Sequence, residues 1–493
     1  MIKAISIAFI LALTLTACQL PPKNQLGKLP VALNQPVLPY AVGSQTVFVH
    51  DSSRPYDSVG GVDVGIRSLI TEIWYPVEHR AINSGDYQQA TYGDYVFGDR
   101  DIHRLMMTQT TFFHLTPDTV VAGTSQADIE LAIDELFSRK RNSFINAPLS
   151  ASQASYPVLV MTHGDAGSRY NMESASEYLA AHGYIVIAPE HTGNSPFSLT
   201  AKDPEIDDAL AAVKPFLNAD GSYGSVEKYG QTYTPLISGS ATAKALVQLD
   251  DALLQRVGDL RAVLKELDRM NSIGMFADRL NLSSIGLFGR SFGGTTTLAA
   301  LTLESRFTAG AAVVPLVLPD VRALLPTEFR KPKGTESVIL NASGIVSIEQ
   351  INKPTMLLSG AEDSLIIGVG AALAESFSSE LPLPTNPLPV LRKSYEDSQA
   401  PVIWGLLEDS NHGSFGVSGP YWWPELKPKS KTRFFAPHDS FDLVSSNVAH
   451  DIQRKKLLQF FDVMIKGKAE QQGVLLQNQF LEQGLQYEFR NFK

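Results

Sequence analysis

The sequence is poor in cysteine: Cys18 is the only one among 493 residues. A chain with a single thiol cannot form an internal disulfide, so its stability must come from a buried core. The hydrophobic content of 44% is normal for such a core. The chain also lacks a long run of Lys and Arg, and its formal net charge is -10. Because phosphate contacts need clustered cations, this balance argues against a nucleic-acid-binding protein and favours a small substrate or a soluble partner.

Long hydrophobic runs are absent as well. No run after residue 20 is long enough to be transmembrane, and no internal repeat is visible. The apolar stretch at residues 5–15 follows Lys3 and has the length of a signal-peptide core. We therefore expect residues 1–17 to be a signal peptide and the protein to be exported.

Cys18 follows Leu15-Thr16-Ala17, which resembles the lipobox of a bacterial lipoprotein. The resemblance implies that Cys18 is lipidated and anchors the chain to a membrane of the bacterial cell envelope. Gln19 in place of Asp implies the outer membrane. The alternative is an unmodified buried thiol. Residues 18–40 are rich in proline and read as a tether.

The motif that organises the rest of the chain is Gly289-Arg290-Ser291-Phe292-Gly293. It follows an apolar, strand-like run and precedes a helix-like segment, the context of a Gly-x-Ser-x-Gly nucleophile elbow. A Cβ at either glycine would collide with the strand or the incoming helix. We predict that Ser291 is a catalytic nucleophile; the alternative is an ordinary Ser/Gly turn at a helix start.

Strand-like and helix-like segments alternate around this motif, which predicts an α/β protein. Two antiparallel strands come first, and a mostly parallel central sheet follows, with helices on both faces. Together with the nucleophile elbow, this order of elements resembles the α/β-hydrolase fold, and we expect residues 41–493 to form one catalytic domain. One strong amphipathic helix precedes the elbow strand, and its predicted buried stripe is Leu253, Val257, Leu260, Val263, Leu264 and Leu267. The stretch PVIWGLLEDSNH, residues 401–412, carries the predicted last strand, and an amphipathic helix closes the chain.

Two insertions interrupt the predicted core, at about residues 80–155 and 190–243. The first is longer than a connection needs, so it is an insertion or a flap. The second follows the carboxyl end of a strand, the edge where ligands bind in open α/β sheets. It is a candidate lid, with a plain surface excursion as the alternative.

A serine nucleophile needs a histidine to accept its proton, and in this fold the histidine comes last in the chain. Only His412, His438 and His450 follow Ser291. His412 lies in a loop directly after the predicted last strand and is our candidate base. His438 is in a polar loop and reads as solvent-facing, whereas His450 reads as a residue at the start of the closing helix.

The carboxylate that orients the histidine has two main candidates. Asp363 follows Gly360 and Ala361, small residues that permit a tight turn after a strand, and it has no comparable capping role in the sequence pattern. Asp320 follows the preceding strand but can instead cap a helix. Glu362 is a fallback. We favour Asp363.

Acyl transfer also needs two backbone N–H donors for an oxyanion. Phe292, directly after the nucleophile, supplies one. The turn His163-Gly164-Asp165 follows an earlier strand, and the N–H of Asp165 is the best-placed second donor. We read His163 as structural, and leave Glu190 and His191 as either pocket-lining residues or loop anchors.

Five stretches together carry a family resemblance: FVHDSSRP, LITEIWYP, MTHGDAGS, YIVIAPEHTGN and GRSFGGTT. They resemble the platelet-activating-factor acetylhydrolase-like branch of the α/β-hydrolases, with cutinase-like polyesterases close by. The resemblance implies hydrolysis of carboxylic esters, with short acyl chains on lipid-like alcohols and no metal or other cofactor. Plasma-type acetylhydrolases carry the acid after the strand that follows the elbow, where this chain has Asp320. Cutinase-like members carry it one strand later.

The sequence is compatible with three functions. The first is a lipid-anchored serine esterase that uses Ser291, His412 and Asp363. The second is a non-catalytic surface protein that kept the fold, because a fold does not fix a function. The third is a serine peptidase on the same scaffold. The presence of the elbow, oxyanion turn, acid loop and histidine loop in the expected order favours the esterase.

Overall fold

The computed structural model describes residues 38–492 except 62, 64, 98–99, 102, 105–106, 108–125, 198–241, 319–324, 333, 341–352, 378, 418–420 and 423–430. The predictions made for Cys18, for Asp320 and for most of the 190–243 insertion therefore lie outside the described residues.

The part of the chain that the structure describes contains thirteen strands and nine α-helices. The strands are β1 (Ala41–Asp51), β2 (Arg67–Val77), β3 (Gln89–Thr91), β4 (Lys140–Ile145), β5 (Tyr156–Thr162), β6 (Ile185–Pro189), β7 (Leu280–Arg290), β8 (Phe307–Val313), β9 (Thr355–Gly360), β10 (Val402–Leu407), β11 (Lys431–Thr432), β12 (Ser440–Phe441) and β13 (Leu485–Arg490). The helices are α1 (His79–Ile82), α2 (Gln126–Ser138), α3 (Glu173–Ala181), α4 (Ala243–Met270), α5 (Phe292–Leu303), α6 (Ser364–Phe377), α7 (Pro389–Asp397), α8 (Ser446–Met464) and α9 (Gln472–Leu476).

Eleven of these strands form one sheet in the order β13-β10-β9-β8-β7-β5-β6-β2-β1-β4-β3. The six neighbours from β10 to β6 are parallel, whereas β1 pairs antiparallel with β2, and β2 with β6. The predicted α/β-hydrolase fold, with its mostly parallel sheet, is confirmed. Strand β5 lies between β6 and β7, so the strand order reverses there, and such a switch point leaves a crevice at the carboxyl ends of the strands.

The core occupies both faces of the sheet because successive strand residues point to opposite sides. In β5, Val158 and Val160 pack into one apolar cluster, and Leu159 and Met161 into the other. Helices α4 and α5 cover the first face, and α3 and α8 cover the second. All six residues of the predicted stripe on α4 are buried, as its periodicity indicated.

The C-terminus corrects one prediction. Strand β10 is not the last strand, because β13 follows the closing helix and pairs antiparallel with β10. Its sequence, LQYEFR, alternates apolar and polar residues, but only Leu485 in it is buried. Because most residues of such an edge strand are exposed, its sequence shows little of the hydrophobic pattern by which a strand is predicted. In the 80–155 segment, β3 and β4 extend the opposite end of the sheet beside β1.

Candidate active site

Ser291 sits at a strained turn between β7 and α5. Its φ and ψ angles are 57° and -124°, and its N–H donates to the Val313 carbonyl at 2.8 Å. A non-glycine residue with positive φ is uncommon, and such strain clusters at functional sites. A Cβ built on Gly289 would lie 2.5 Å from the Gly293 carbonyl oxygen, and one on Gly293 would lie 2.6 Å from the His163 carbonyl oxygen. The two glycines are thus required by close backbone packing.

His412 lies within hydrogen-bond reach of Ser291. It begins a short 3-10 helix, His412–Phe415, after β10, and Asn411 caps that helix by accepting from the Ser414 N–H at 3.2 Å. His412 Nε2 is 2.8 Å from Ser291 Oγ, and His412 Nδ1 is 2.8 Å from Asp363 Oδ2. Because an ionised carboxylate only accepts hydrogen bonds, the Nδ1 atom carries the proton and Nε2 accepts from the serine hydroxyl.

Asp363 is buried at the end of β9 and divides its two oxygens between two partners. Oδ2 faces His412, and Oδ1 accepts from the Ile366 N–H at 3.1 Å, which caps α6. The expectation that Asp363 has no comparable capping role was therefore wrong, since Ser364 and Leu365 in sequence do not reveal that a helix begins there. The exposed fractions are 1% for Asp363, 7% for Ser291 and 16% for the His412 side chain. The base is accordingly the most accessible of the three.

The other candidate residues have different partners. Glu362 accepts from Arg433 at 2.6 Å and from the Phe434 N–H at 3.2 Å. His438 is exposed, as predicted. His450 lies in α8 but is buried, with Nδ1 2.6 Å from Ser174 Oγ and Nε2 3.0 Å from the Gly416 carbonyl oxygen.

Burial lowers the pKa of His450 to about 3, so the ring is neutral near pH 7. With Nε2 donating to the Gly416 carbonyl, the neutral ring leaves Nδ1 to accept from Ser174. His450 thus helps to hold the loop that follows His412.

The two predicted oxyanion donors belong to two segments that adjoin Ser291. Phe292 begins α5, whose first-turn N–H groups have no intrahelical partners. A Cβ on Gly164 would lie 3.1 Å from Ser291 Cβ, so the turn that contains Asp165 packs directly against the nucleophile. Ala166 in this turn has a φ of 50°. The backbones of both segments therefore border the serine.

His163, Glu190 and His191 are fully buried, which fits anchoring rather than pocket lining for the last two. His163 Nε2 accepts from the His191 N–H at 2.9 Å, and Glu190 pairs with Arg169 at 3.0 Å. Burial lowers the pKa of His163 well below its usual value, and the nearby Arg256 charge lowers it further.

Sequence reasoning missed Arg290, the residue before the nucleophile. Its guanidinium is buried and donates from Nη2 to the His412 carbonyl at 2.5 Å, so it ties the base loop to the elbow. Burial lowers the pKa of Arg290 to about 10, and the Asp363 charge opposes that shift. The group remains cationic near neutral pH. A charged residue between an apolar strand and the serine was the available signal.

Among the described residues, no group of His, Cys, Asp and Glu side chains is arranged to hold a metal ion. Nor does any helix in that part of the chain have the length and hydropathy needed to cross a bilayer.

Comparisons with known proteins bear on the family and the fold. The family model described as platelet-activating factor acetylhydrolase, isoform II, matches residues 112–385. The acetylhydrolase of Cavia porcellus is 28% identical over 187 residues, which cover 37% of this chain and 40% of that protein. The acetylhydrolase of Gallus gallus is 25% identical over 229 residues, which cover 45% and 52%. The chain thus spans about half or less of these relatives' length.

A solved structure, a ferulic acid esterase from Streptomyces cinnamoneus, is similar with a TM-score of 0.55 and 17% identity. The alignment covers 92% of this chain and 98% of the esterase, and at this identity it bears on the fold alone.

The fold and the Ser–His–Asp arrangement define the class, an α/β-hydrolase. Because the family match covers more than half of the chain, the protein belongs to the platelet-activating factor acetylhydrolase, isoform II, family. The match includes Ser291 and Asp363 and ends before His412.

Proposed function

We propose that the protein hydrolyses carboxylic esters through an acyl-enzyme formed on Ser291. The observation that carries this proposal is the continuous chain of two 2.8 Å contacts from Ser291 Oγ through His412 to Asp363. Family membership and the strained elbow support it independently. In this proposal the N–H groups of Phe292 and Asp165 are the oxyanion donors.

The chemistry follows from these positions. Ser291 Oγ attacks the ester carbonyl carbon while its proton moves to His412 Nε2, and Asp363 stabilises the imidazolium that forms. The carbonyl oxygen becomes an oxyanion between the two N–H donors. The C–O bond to the alcohol then breaks, and the alcohol leaves with the proton from His412. Water, activated by the same histidine, attacks the acyl-enzyme and releases the acid.

The substrates that we propose are esters with short acyl chains on lipid-like alcohols. The relatives named above are acetylhydrolases of platelet-activating factor, and they carry this inference. A series of p-nitrophenyl esters from acetate to palmitate tests it. We expect kcat/KM to fall as the acyl chain lengthens; a rise with chain length would contradict the short-acyl proposal while leaving the esterase proposal intact.

Labelling with a fluorophosphonate tests the nucleophile. We expect one equivalent to be added, peptide mapping to place it on Ser291, and the Ser291→Ala variant to remain unlabelled. A folded parent protein that neither reacts with the probe nor hydrolyses esters would favour a non-catalytic binding protein.

We also propose that a lipid on Cys18 anchors the protein to the cell envelope, on the basis of the Leu15-Thr16-Ala17-Cys18 sequence. Cys18→Ser should release the protein from the membrane fraction without loss of esterase activity. Retention of the variant in that fraction would contradict the anchor.

A further inference from the structure

Arg256 lies on the buried face of α4, where its guanidinium contacts both segments that border Ser291. The side chain is fully buried. Nη2 donates to the His163 carbonyl and to Thr162 Oγ1, the latter at 3.0 Å. The guanidinium carbon also lies 4.7 Å from the centre of the Phe292 ring. One rigid, planar group therefore joins the end of β5 to the start of α5.

Asn194 extends this connection to the second oxyanion donor. Arg256 Nη1 donates to Asn194 Oδ1 at 2.6 Å, and Asn194 Nδ2 donates to Asp165 Oδ1 at 2.6 Å. The Asn194 N–H itself donates to the His191 carbonyl at 2.9 Å, which fixes the turn that carries the amide. The side chain of Asp165 is thus connected to Arg256 by two successive hydrogen bonds, with Asn194 between them.

A further set of bonds fixes one partner of Arg256, the Thr162 hydroxyl. The carboxylate of Asp259 is 2.9 Å from His191 Nδ1, and His191 Nε2 is 2.8 Å from Thr162 Oγ1. Burial alone would raise the pKa of Asp259, but the Arg67 and Arg54 charges hold it well below its usual value, so the carboxylate accepts. His191 then donates from Nδ1 and accepts from the Thr162 hydroxyl, whose oxygen is left to accept from Arg256. The donor and the acceptor of each of these hydrogen bonds are therefore defined.

We propose that Arg256 is a positioning residue that sets the spacing of the two oxyanion donors, Phe292 N–H and Asp165 N–H. This inference rests on the proposed esterase function. Two donors must converge within about 2.7–3.1 Å of one oxygen, and here they belong to segments far apart in sequence. The planar fork of an arginine can hold Asn194, Thr162 and His163 together, whereas the compact ammonium of a lysine cannot.

The test is Arg256→Lys, with Arg279→Lys as the matched control. Like Arg256, Arg279 donates to three oxygen atoms, here the backbone carbonyls of Ala154, Ser150 and Gln153, and its guanidinium carbon lies 5.8 Å from the Tyr156 ring centre. It precedes β7, at the end of the sheet opposite the elbow. For Arg256→Lys we expect kcat to fall about 100-fold with KM changed less than about threefold, because displacement of a donor by about 1 Å costs that much. For Arg279→Lys we expect parental kinetics.

A transition-state analogue separates positioning from a merely structural role. An alkyl trifluoromethyl ketone adds to the nucleophile and forms an oxyanion, so its affinity for Arg256→Lys should fall by the same factor as kcat/KM. The matching non-fluorinated methyl ketone should bind both proteins equally. Equal loss for both ketones, or parental kcat in a folded variant, would overturn the proposal.

A second pair of variants decides the question if Arg256→Lys does not fold. Asp165→Ala keeps the backbone N–H but loses the bond from Asn194, whereas Asp165→Asn keeps an acceptor at Oδ1. We expect Asp165→Ala to lose more kcat than Asp165→Asn, and equal losses would overturn the proposal. If the parent protein itself neither hydrolyses esters nor is labelled at Ser291, the proposed function fails instead.

Discussion

Asp363 shows how one side chain serves the site and the fold together. One oxygen faces His412 Nδ1, and the other caps α6 through the Ile366 N–H. The cap fixes the carboxylate relative to the helix, so the helix start and the orientation of the histidine depend on the same group.

Asp363→Asn should separate these two roles. An amide oxygen can still cap α6, since Asn is as good an N-cap as Asp, so we expect the melting temperature to stay close to that of the parent. The amide cannot stabilise the imidazolium or select the correct tautomer, and kcat should fall about 10⁴-fold. Ester hydrolysis and thermal unfolding of the same preparations measure both effects.

Two further variants complete this comparison. Asp363→Ala should be equally inactive and about 1 kcal/mol less stable, because it loses the cap as well. Asp320→Asn should remain active, with at most slightly reduced stability. An inactive Asp320→Asn beside an active Asp363→Asn would transfer the acid role to Asp320.

The sequence allowed prediction of the site residues that belong to local motifs, and not of those that act across the fold. Ser291 is recognisable because its glycines are adjacent in the chain, and His412 because it follows a strand. Arg256 and Asn194 are 62 residues apart and meet only after folding. One signal was present, since Arg256 has the helical phase of Leu253 and Leu260, and a cation within a buried stripe requires polar partners.

At the scale of elements, the elbow depends on how closely α5 approaches β5. A Cβ on Gly293 would overlap the carbonyl oxygens of both Thr162 and His163, and backbone cannot move aside as a side chain can. Helix α4 and the central strands were predictable because they are buried on or within the sheet. Burial gives α4 its regularly spaced apolar residues and the central strands their apolar runs, and the same burial stabilises them. Strands β3, β4 and β13 lie at or near the sheet edges, where half-exposed sequences carry little pattern.

Gly293→Ala should therefore destabilise the protein by about 1–3 kcal/mol, the usual cost of forcing a methyl group into a packed core. Activity should fall with it, since the shift separates Ser291 from the 163–167 turn. The matched control is Gly368→Ala in α6, where a Cβ would meet no heavy atom within 4 Å. There we expect a gain of about 0.5–1 kcal/mol from the lower entropy of the unfolded chain. Equal unfolding midpoints in urea for the two variants would contradict this account of the elbow.

At the scale of the whole molecule, a buried polar cluster joins β2, β4, α3 and the loops after β5 and β6. Its charged members are Glu72, Arg141, Arg169, Glu173, Glu177 and Glu190, all buried. Arg141 lies 3.3 Å from Glu72, and Arg169 lies 3.0 Å from Glu190. With four carboxyl groups and two guanidinium groups, the cluster cannot be neutral if every member is ionised.

The cluster relieves this imbalance by retaining protons. Burial raises the pKa of Glu173 well above its usual value, and the Glu177 carboxylate raises it further. Burial raises the pKa of Glu177 as well, although Arg141 opposes that shift. A raised carboxyl pKa means that the native state binds a proton which the unfolded chain has released. The contribution of Glu173 to the free energy of unfolding is therefore fully present below the pKa of this group in the unfolded chain, near 4.5. It is lost as the pH rises toward the pKa of the group in the native state.

Glu173→Gln should remove that loss, because an amide has the shape of a neutral carboxyl group and does not ionise. We expect the free energy of unfolding of the variant, relative to the parent, to increase between pH 5 and pH 8 with a slope of up to about 1.4 kcal/mol per pH unit. Urea unfolding at four pH values measures the slope. The control is Glu375→Gln, at an exposed position on α6, whose free energy of unfolding should change with pH as that of the parent does. The glutamine amide does not titrate, so any change of this difference with pH comes from Glu173 in the parent. If the difference in the free energy of unfolding between Glu173→Gln and the parent stays constant with pH, Glu173 is ionised in the native protein. The cluster would then have to balance its charge through another group, and Glu177→Gln would be the variant that carries the slope.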